Sequence, residues 1–150
     1  AGDAAVTFNI VAALRAWARK TNGTAVVALL QPTPEVFDTF DTLVLLREGA
    51  TAYHGPREGA AAYFRKLGFA PPAEGSGEDV ADWFVNLVAT PAKALAKGSS
   101  LNLSAMSSAN APTTTKALAA AWRASDERAK TRAEAKDPTP LTLATPFARA

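Results

Sequence analysis

The chain has 150 residues, with 16 basic and 14 acidic side chains, one histidine and no cysteine. That length suits one domain or a piece of a larger one. The missing cysteines exclude a disulfide framework, a thiolate zinc site and a cysteine nucleophile, one histidine excludes a His-rich metal site, and a net charge of +2 gives no nucleic-acid footprint. Hydrophobic residues make up 48%, yet roughly a quarter of the chain is alanine, which buries little apolar area, so the core should be thin. The longest apolar run, Ala25 to Leu30, falls far short of the roughly 20 residues of a membrane-spanning helix. No charged n-region followed by an apolar h-region marks a signal peptide. The chain begins at Ala1 and reads as a piece of a longer one.

Helical spacing of Ile10, Leu14 and Trp17 predicts a first helix over about Ala5–Lys20, closed by Asn22-Gly23 with Gly23 as the left-handed cap. Thr24–Leu30, apolar on both faces and partly β-branched, predicts a strand buried on both sides, as in a parallel sheet. Proline at 32 and 34 stops it. A helical turn over Glu35–Phe40 follows, then a hairpin of Leu43–Leu46 and Thr51–Tyr53 across Glu48-Gly49. Pro56 opens a helix over Arg57–Leu67, with Gly68-Phe69 closing it. Ser76-x-x-Asp79 reads as a capping box for a helix to about Val88. From about residue 91 the composition turns to Ala, Ser, Thr and Lys. Residues 91–113 read as low-complexity and flexible, and Thr114–Lys136 as one long polar helix ended by Asp137-Pro138-Thr139-Pro140.

The chemistry is sparse. The sequence has no G-x-x-x-x-G-K-[ST] phosphate loop, no G-x-S-x-G elbow and no H-E-x-x-H. His54 sits at a hairpin end without a visible orienting partner and reads as an exposed turn residue. Trp17, Trp83 and Trp122 read as packing residues of a core or interface. The charge run Arg123–Lys136 reads as a solvated helix face, with contact to anionic headgroups as the second reading.

One order of residues is more specific. Gly2-Asp3 opens the first helix; LLQPTPE ends the apolar run; then come FDTFDTLVLLREGATAYHGP, a helix with YFRKLGF, and EDVADWF. Together these resemble the second half of the nucleotide-binding domain of an ATP-binding-cassette transporter, G subfamily, pleiotropic drug resistance type, over residues 1 to about 88. In that family the run reads Q-P, F-D-x-[IL]-x-L-L-x-x-G, [YF]-x-G-P and Y-F-x-x-x-G-[FY]. The combination is specific where each piece alone is weak.

The resemblance implies an α/β class: a partial P-loop NTPase-like domain with few strands and packed helices, followed by a flexible, partly helical linker. Residues 1–90 would be the C-terminal part of the nucleotide-binding domain, and residues 91–150 the linker preceding a transmembrane domain. Asp3 matches the D-loop aspartate, although Gly2 stands where leucine is usual. Leu30 takes the position of the switch histidine, where a leucine can make no hydrogen bond to a γ-phosphate. Read from its apolar surroundings alone, Leu30 is simply a strand packing residue. Gln31 either faces the nucleotide or ends the strand. LLQP without histidine resembles the N-terminal half of full-size transporters. The implied cofactors are ATP and Mg in the parent protein. The implied partners are a second nucleotide-binding domain, the transmembrane domain, and a transported small molecule or lipid. The implied place is a membrane, with this segment on the cytoplasmic side. The phosphate loop, Walker B acid and signature loop are absent, so no catalytic set is complete and residues 1–150 alone should neither bind nor hydrolyse ATP. The competing readings are a non-enzymatic helical interaction protein and a truncated, inactive gene product.

Overall fold

A computed structural model describes residues 2–73, 76–99 and 111–136, with the side chains of residues 2, 3, 96–99 and 136 outside the description. The first helix, α1, runs Gly2–Thr21 and carries Arg19 and Lys20 in its last turn, where cations suit the helix dipole. Its closing residue in the left-handed region is Asn22 (φ 53°) rather than the expected Gly23, and the Gly23 amide donates to the Ala18 carbonyl at 2.8 Å. Asparagine tolerates that conformation better than most side chains. Val11 is buried, while Val6, Phe8, Ile10 and Trp17 are 41–57% exposed.

The strand expected over Thr24–Leu30 is not formed; the segment is non-helical and pairs with no other strand. Its burial still alternates, with Ala25, Val27 and Leu29 half-buried and the residues between them exposed. A strand buried on both faces needs neighbours in its sheet and layers above and below it, and the described residues supply neither. Val26 is 91% exposed and Leu30 97%, so the packing reading of Leu30 is corrected as well.

A short helix α2, Pro34–Phe37, follows, with proline in its first turn and Val36 and Phe37 buried. Strands β1 (Thr42–Arg47) and β2 (Ala50–Pro56) form an antiparallel hairpin, the whole of the sheet among the described residues. Its two turn residues, Glu48 and Gly49, both have positive φ (48° and 76°), as a tight hairpin turn of the right twist requires. The register shifts between Leu45, opposite Tyr53, and Leu46, opposite Thr51. The extra residue, Ala52, lets Ala52 and Tyr53 both turn inward, which a regular strand forbids.

Helix α3 (Arg57–Lys66) buries Ala60, Tyr63 and Phe64. Gly68, at φ 93°, lets the chain reverse so that the Phe69 amide donates to the Phe64 carbonyl at 3.0 Å and Phe69 packs on Phe64, as expected of that cap. Helix α4 (Val80–Ala89) starts one cap later than expected. Its N-cap is Asp79, whose Oδ1 accepts from the Ala81 amide at 2.8 Å. Helix α5 spans Pro91–Ser99, where flexible chain was expected.

The single polar helix expected over 114–136 is two: α6 (Thr115–Ala124) and α7 (Asp126–Lys136). Ser125 breaks them apart in an extended conformation (ψ 149°); its hydroxyl donates to the Trp122 carbonyl (2.8 Å) and accepts from the Arg128 amide (3.2 Å). Each of those hydrogen bonds satisfies a helix-end group that a continuous helix would have paired internally. Nor is α6 solvated all round. Leu118, Ala119 and Trp122 are buried in the common core with Tyr53, Tyr63 and Phe64, and α6 lies against β2. The expectations for residues 100–110 and 137–150 lie outside the described residues.

The core is therefore aromatic where the composition predicted it thin. Tyr53, Phe64, Phe69 and Phe84 are almost wholly buried, the rings of Tyr53, Phe69 and Phe84 centred 5.9–6.1 Å from that of Phe64. Large rings at few positions replace area that alanine cannot supply.

Candidate functional site

Asp3, Leu30 and Gln31 were the residues singled out from sequence. The structure places Asp3 in the first turn of α1, its side chain lying outside the described residues. Leu30 and Gln31 project into solvent, and Gln31 has φ 47°, a left-handed conformation that costs a non-glycine residue roughly 1 kcal/mol. The backbone leaves its extended path there, and Pro32 and Pro34 carry it to α2. That path returns the chain to the start of α1. Ala4, Ala5 and Phe8 of α1 face Thr33 and Glu35 across an open hollow of about 260 Å³. The first turn of α1 and the segment just after Gln31 thus share one edge of the molecule. The Glu35 carboxyl is held below its usual range, first by its own backbone amide and then by the Thr33 hydroxyl.

A second, larger hollow of about 370 Å³ lies beyond it, between the C-terminal half of α1, residues 22–27 and residues 39–42. Arg15 and Arg19 close it against Asp41, at 3.1 and 3.8 Å. These cations are therefore committed to a carboxylate of the FDTFD segment.

The FDTFD segment is fastened mainly by Arg57, a residue the sequence reading passed over. Its backbone amide donates to the Asp41 carbonyl (3.0 Å), its Nε to the Phe40 carbonyl (3.0 Å), and a terminal nitrogen to Asp38 Oδ1 (2.8 Å). Its guanidinium lies over the Phe37 ring at 5.6 Å. One planar fork thus engages three of the five residues. A faint signal was present: an arginine in the first turn of a helix opposes the dipole and asks for another reason to be there. Arg47 acts likewise at the hairpin tip. It caps the last carbonyls of α4, donating to Val88 and to Ala89 (2.7 Å), and its Nε donates to the Thr115 hydroxyl (2.9 Å), which donates on to Glu48 (2.5 Å). His54 is exposed, as expected, and its carbonyl accepts from the Thr131 hydroxyl.

This arrangement positions segments relative to one another. Among the described residues no group of three or more His, Asp or Glu could hold a metal ion. Nor is any helix among them long and apolar enough to cross a membrane. FDTFD and the hairpin residue His54 lie within the contacts just described, which fasten α1, the segment after Gln31 and the hairpin in place.

Over about half its length this chain is similar to ABC transporters of the G family. It is 49% identical over 74 residues to ABC transporter G family member 31 of Arabidopsis thaliana, a stretch covering 49% of this chain and 5% of that relative. Against ABC transporter G family member 42 of the same plant the identity is 46% over 70 residues, and against member 35 of Oryza sativa subsp. japonica 47% over 70 residues; each covers 47% of this chain and 5% of the relative. No family model matches the chain. The likeness supports the G subfamily, and the mixed fold of a hairpin with packed helices is compatible with part of an α/β nucleotide-binding domain. The matched stretch spans only about one twentieth of the length of these G-family relatives.

Proposed function

We propose that this chain is part of the ATP-hydrolysing portion of a membrane transporter of the ABC G subfamily, pleiotropic drug resistance type. The observation that carries the reading is the 43–49% identity over half the chain to G-family transporters. Residues 1–90 would close the nucleotide-binding domain, and residues 91–150 would lead from it to a transmembrane domain. The packing of α6 against β2 supports a linker that is docked rather than free over that stretch. Asp3 takes the D-loop role, facing a second nucleotide-binding domain. Leu30 stands at the switch position and Gln31 beside the nucleotide; the solvent exposure of both, two residues or more before the segment that faces the start of α1, favours this placement. The parent would export a small molecule or lipid with ATP and Mg, this segment lying on the cytoplasmic side.

The described residues do not fit Mg-ATP on their own. They offer no carboxylate cluster for the metal, and Arg15 and Arg19 are already paired with Asp41. Phosphoryl transfer needs a phosphate cradle, a metal and an oriented water, and these would come from other parts of the parent. Calorimetry of the 150-residue chain with Mg-ATP should show no binding; micromolar affinity would overturn the assignment of roles. Full-length parent protein should show ATPase activity that falls when Asp3 is replaced by alanine, and unchanged activity would remove Asp3 from the site.

A further inference from the structure

The rings of the core form a continuous file from α2 to α6. Phe37 of α2, six residues after Gln31, stands 6.1 Å from Phe84 of α4. Phe84 is 5.9 Å from Phe64 of α3, which is 6.1 Å from Tyr53 of β2 and 4.9 Å from Tyr63. Tyr53 and Tyr63 together hold Trp122 of α6, at 5.2 and 5.5 Å. All six side chains are buried. We propose that this aromatic file makes the segment after Gln31 and the docked helix α6 one cooperative unit, so that displacing α2 loosens α6 and displacing α6 loosens α2.

The physical ground is close packing. A chain of interlocked rings has no slack to absorb a shift locally, and tilted or edge-on contacts cannot slide without losing their favourable geometry. One end of the file is a single helical turn with no side-chain cap, so the packing of Phe37 carries much of its hold on the core. By contrast, the polar fastening of α6 through Thr115, Arg47 and Glu48 bypasses the file. If the chain serves as proposed above, the file would tie the switch segment to the linker; that consequence rests on the functional reading, whereas the coupling itself does not.

The test is amide hydrogen exchange on the 150-residue chain without nucleotide, so its outcome is independent of any ATPase role. Phe37→Leu should speed exchange of α6 amides about tenfold or more, and Trp122→Phe should do the same to the amides of Phe37 and Asp38, which bond Thr33 and Pro34 carbonyls. The amides of α1 beyond Leu14 should change by less than about twofold in both. Thr115→Ala, which removes a polar contact at the start of α6 but leaves every ring of the file in place, should change the α2 amides by less than about twofold. Exchange confined to the mutated end would overturn the proposal. A uniform rise that includes α1 in both variants would overturn it too, because the whole chain and not the file would then be the cooperative unit.

Discussion

Replacing Arg57 by alanine removes the fork that fastens the FDTFD segment. The charge-assisted bond from Nε to the Phe40 carbonyl is worth roughly 1.5–3 kcal/mol. The pair with Asp38 adds little, about 0–1 kcal/mol, because that carboxylate is 66% exposed. The cation over the Phe37 ring contributes about 0.5–1 kcal/mol. Against these stands the side-chain entropy released on truncation, about 1–2 kcal/mol. The net loss is about 2 kcal/mol, which for a chain of this size lowers Tm by roughly 4–8 °C. Urea unfolding followed by far-ultraviolet circular dichroism measures it. Arg57→Lys should recover less than half, since an ammonium cannot reach the carbonyl and the carboxylate in one plane. Asp38→Asn should cost below about 1 kcal/mol. A loss under about 0.5 kcal/mol for Arg57→Ala, or full recovery by lysine, would refute the argument that the planar fork holds this segment.

Three further outcomes follow from other parts of the molecule. Trp122→Ala should destabilise the chain by about 3–5 kcal/mol and raise protease cleavage around residues 111–124, because it empties the slot between Tyr53 and Tyr63; a cost under about 1 kcal/mol would count against the docking of α6. Leu30→Ser should change stability by less than about 0.5 kcal/mol, since nothing packs on that side chain. The Lys66–Glu127 pair (2.5 Å) ties α3 to α7, and its bonding to Lys66 lowers the Glu127 pKa while that of Lys66 is raised by the same partner. A lowered carboxylate contributes above its ordinary value of 4.5 and is lost as pH falls through the folded value; a raised lysine contributes below 10.5 and is lost as pH rises through its folded value. The Tm difference between wild type and Glu127→Gln should therefore be largest between those limits and vanish in acid, and a difference that persists in acid would rule the pair out as its source.

What was legible in the sequence was local. The hairpin and α3 announce themselves through Glu48-Gly49, Pro56 and Gly68, because turn and cap chemistry is decided within a few residues. Thr24–Leu30 was misplaced because its composition states a preference for extended backbone, whereas a strand exists only when a partner chain supplies the ladder. The split of α6 from α7 was hidden by good helix formers on both sides of Ser125, and the break is stabilised by that serine's own bonds. Docking of α6 had a readable trace, Leu118 and Trp122 four residues apart in an alanine-rich stretch, but the aromatic slot they enter is contributed by residues more than fifty positions earlier. The side-chain fastenings of Arg57 to Phe40 and of Arg47 to Thr115 span 17 and 68 residues, and no local pattern encodes such partners. Of the candidate site, the sequence pattern singled out Leu30 and Gln31, while the nearness of Thr33 and Glu35 to the start of α1 emerged only from the fold.

The unpaired stretch Thr24–Leu30 has a practical consequence at the bench. It holds no charge and no proline, carries the β-branched residues Thr24, Val26 and Val27, and shows solvent the side chains of Val26 and Leu30. Such a segment is a template on which a second molecule can add a strand, and the growth need not stop at two. Concentrated samples of the isolated chain should therefore gain thioflavin-T fluorescence with time, and a single lysine in place of Val26 should delay that gain while leaving the aromatic core intact. The same substitution is then a sensible background for every measurement above that needs a monodisperse sample.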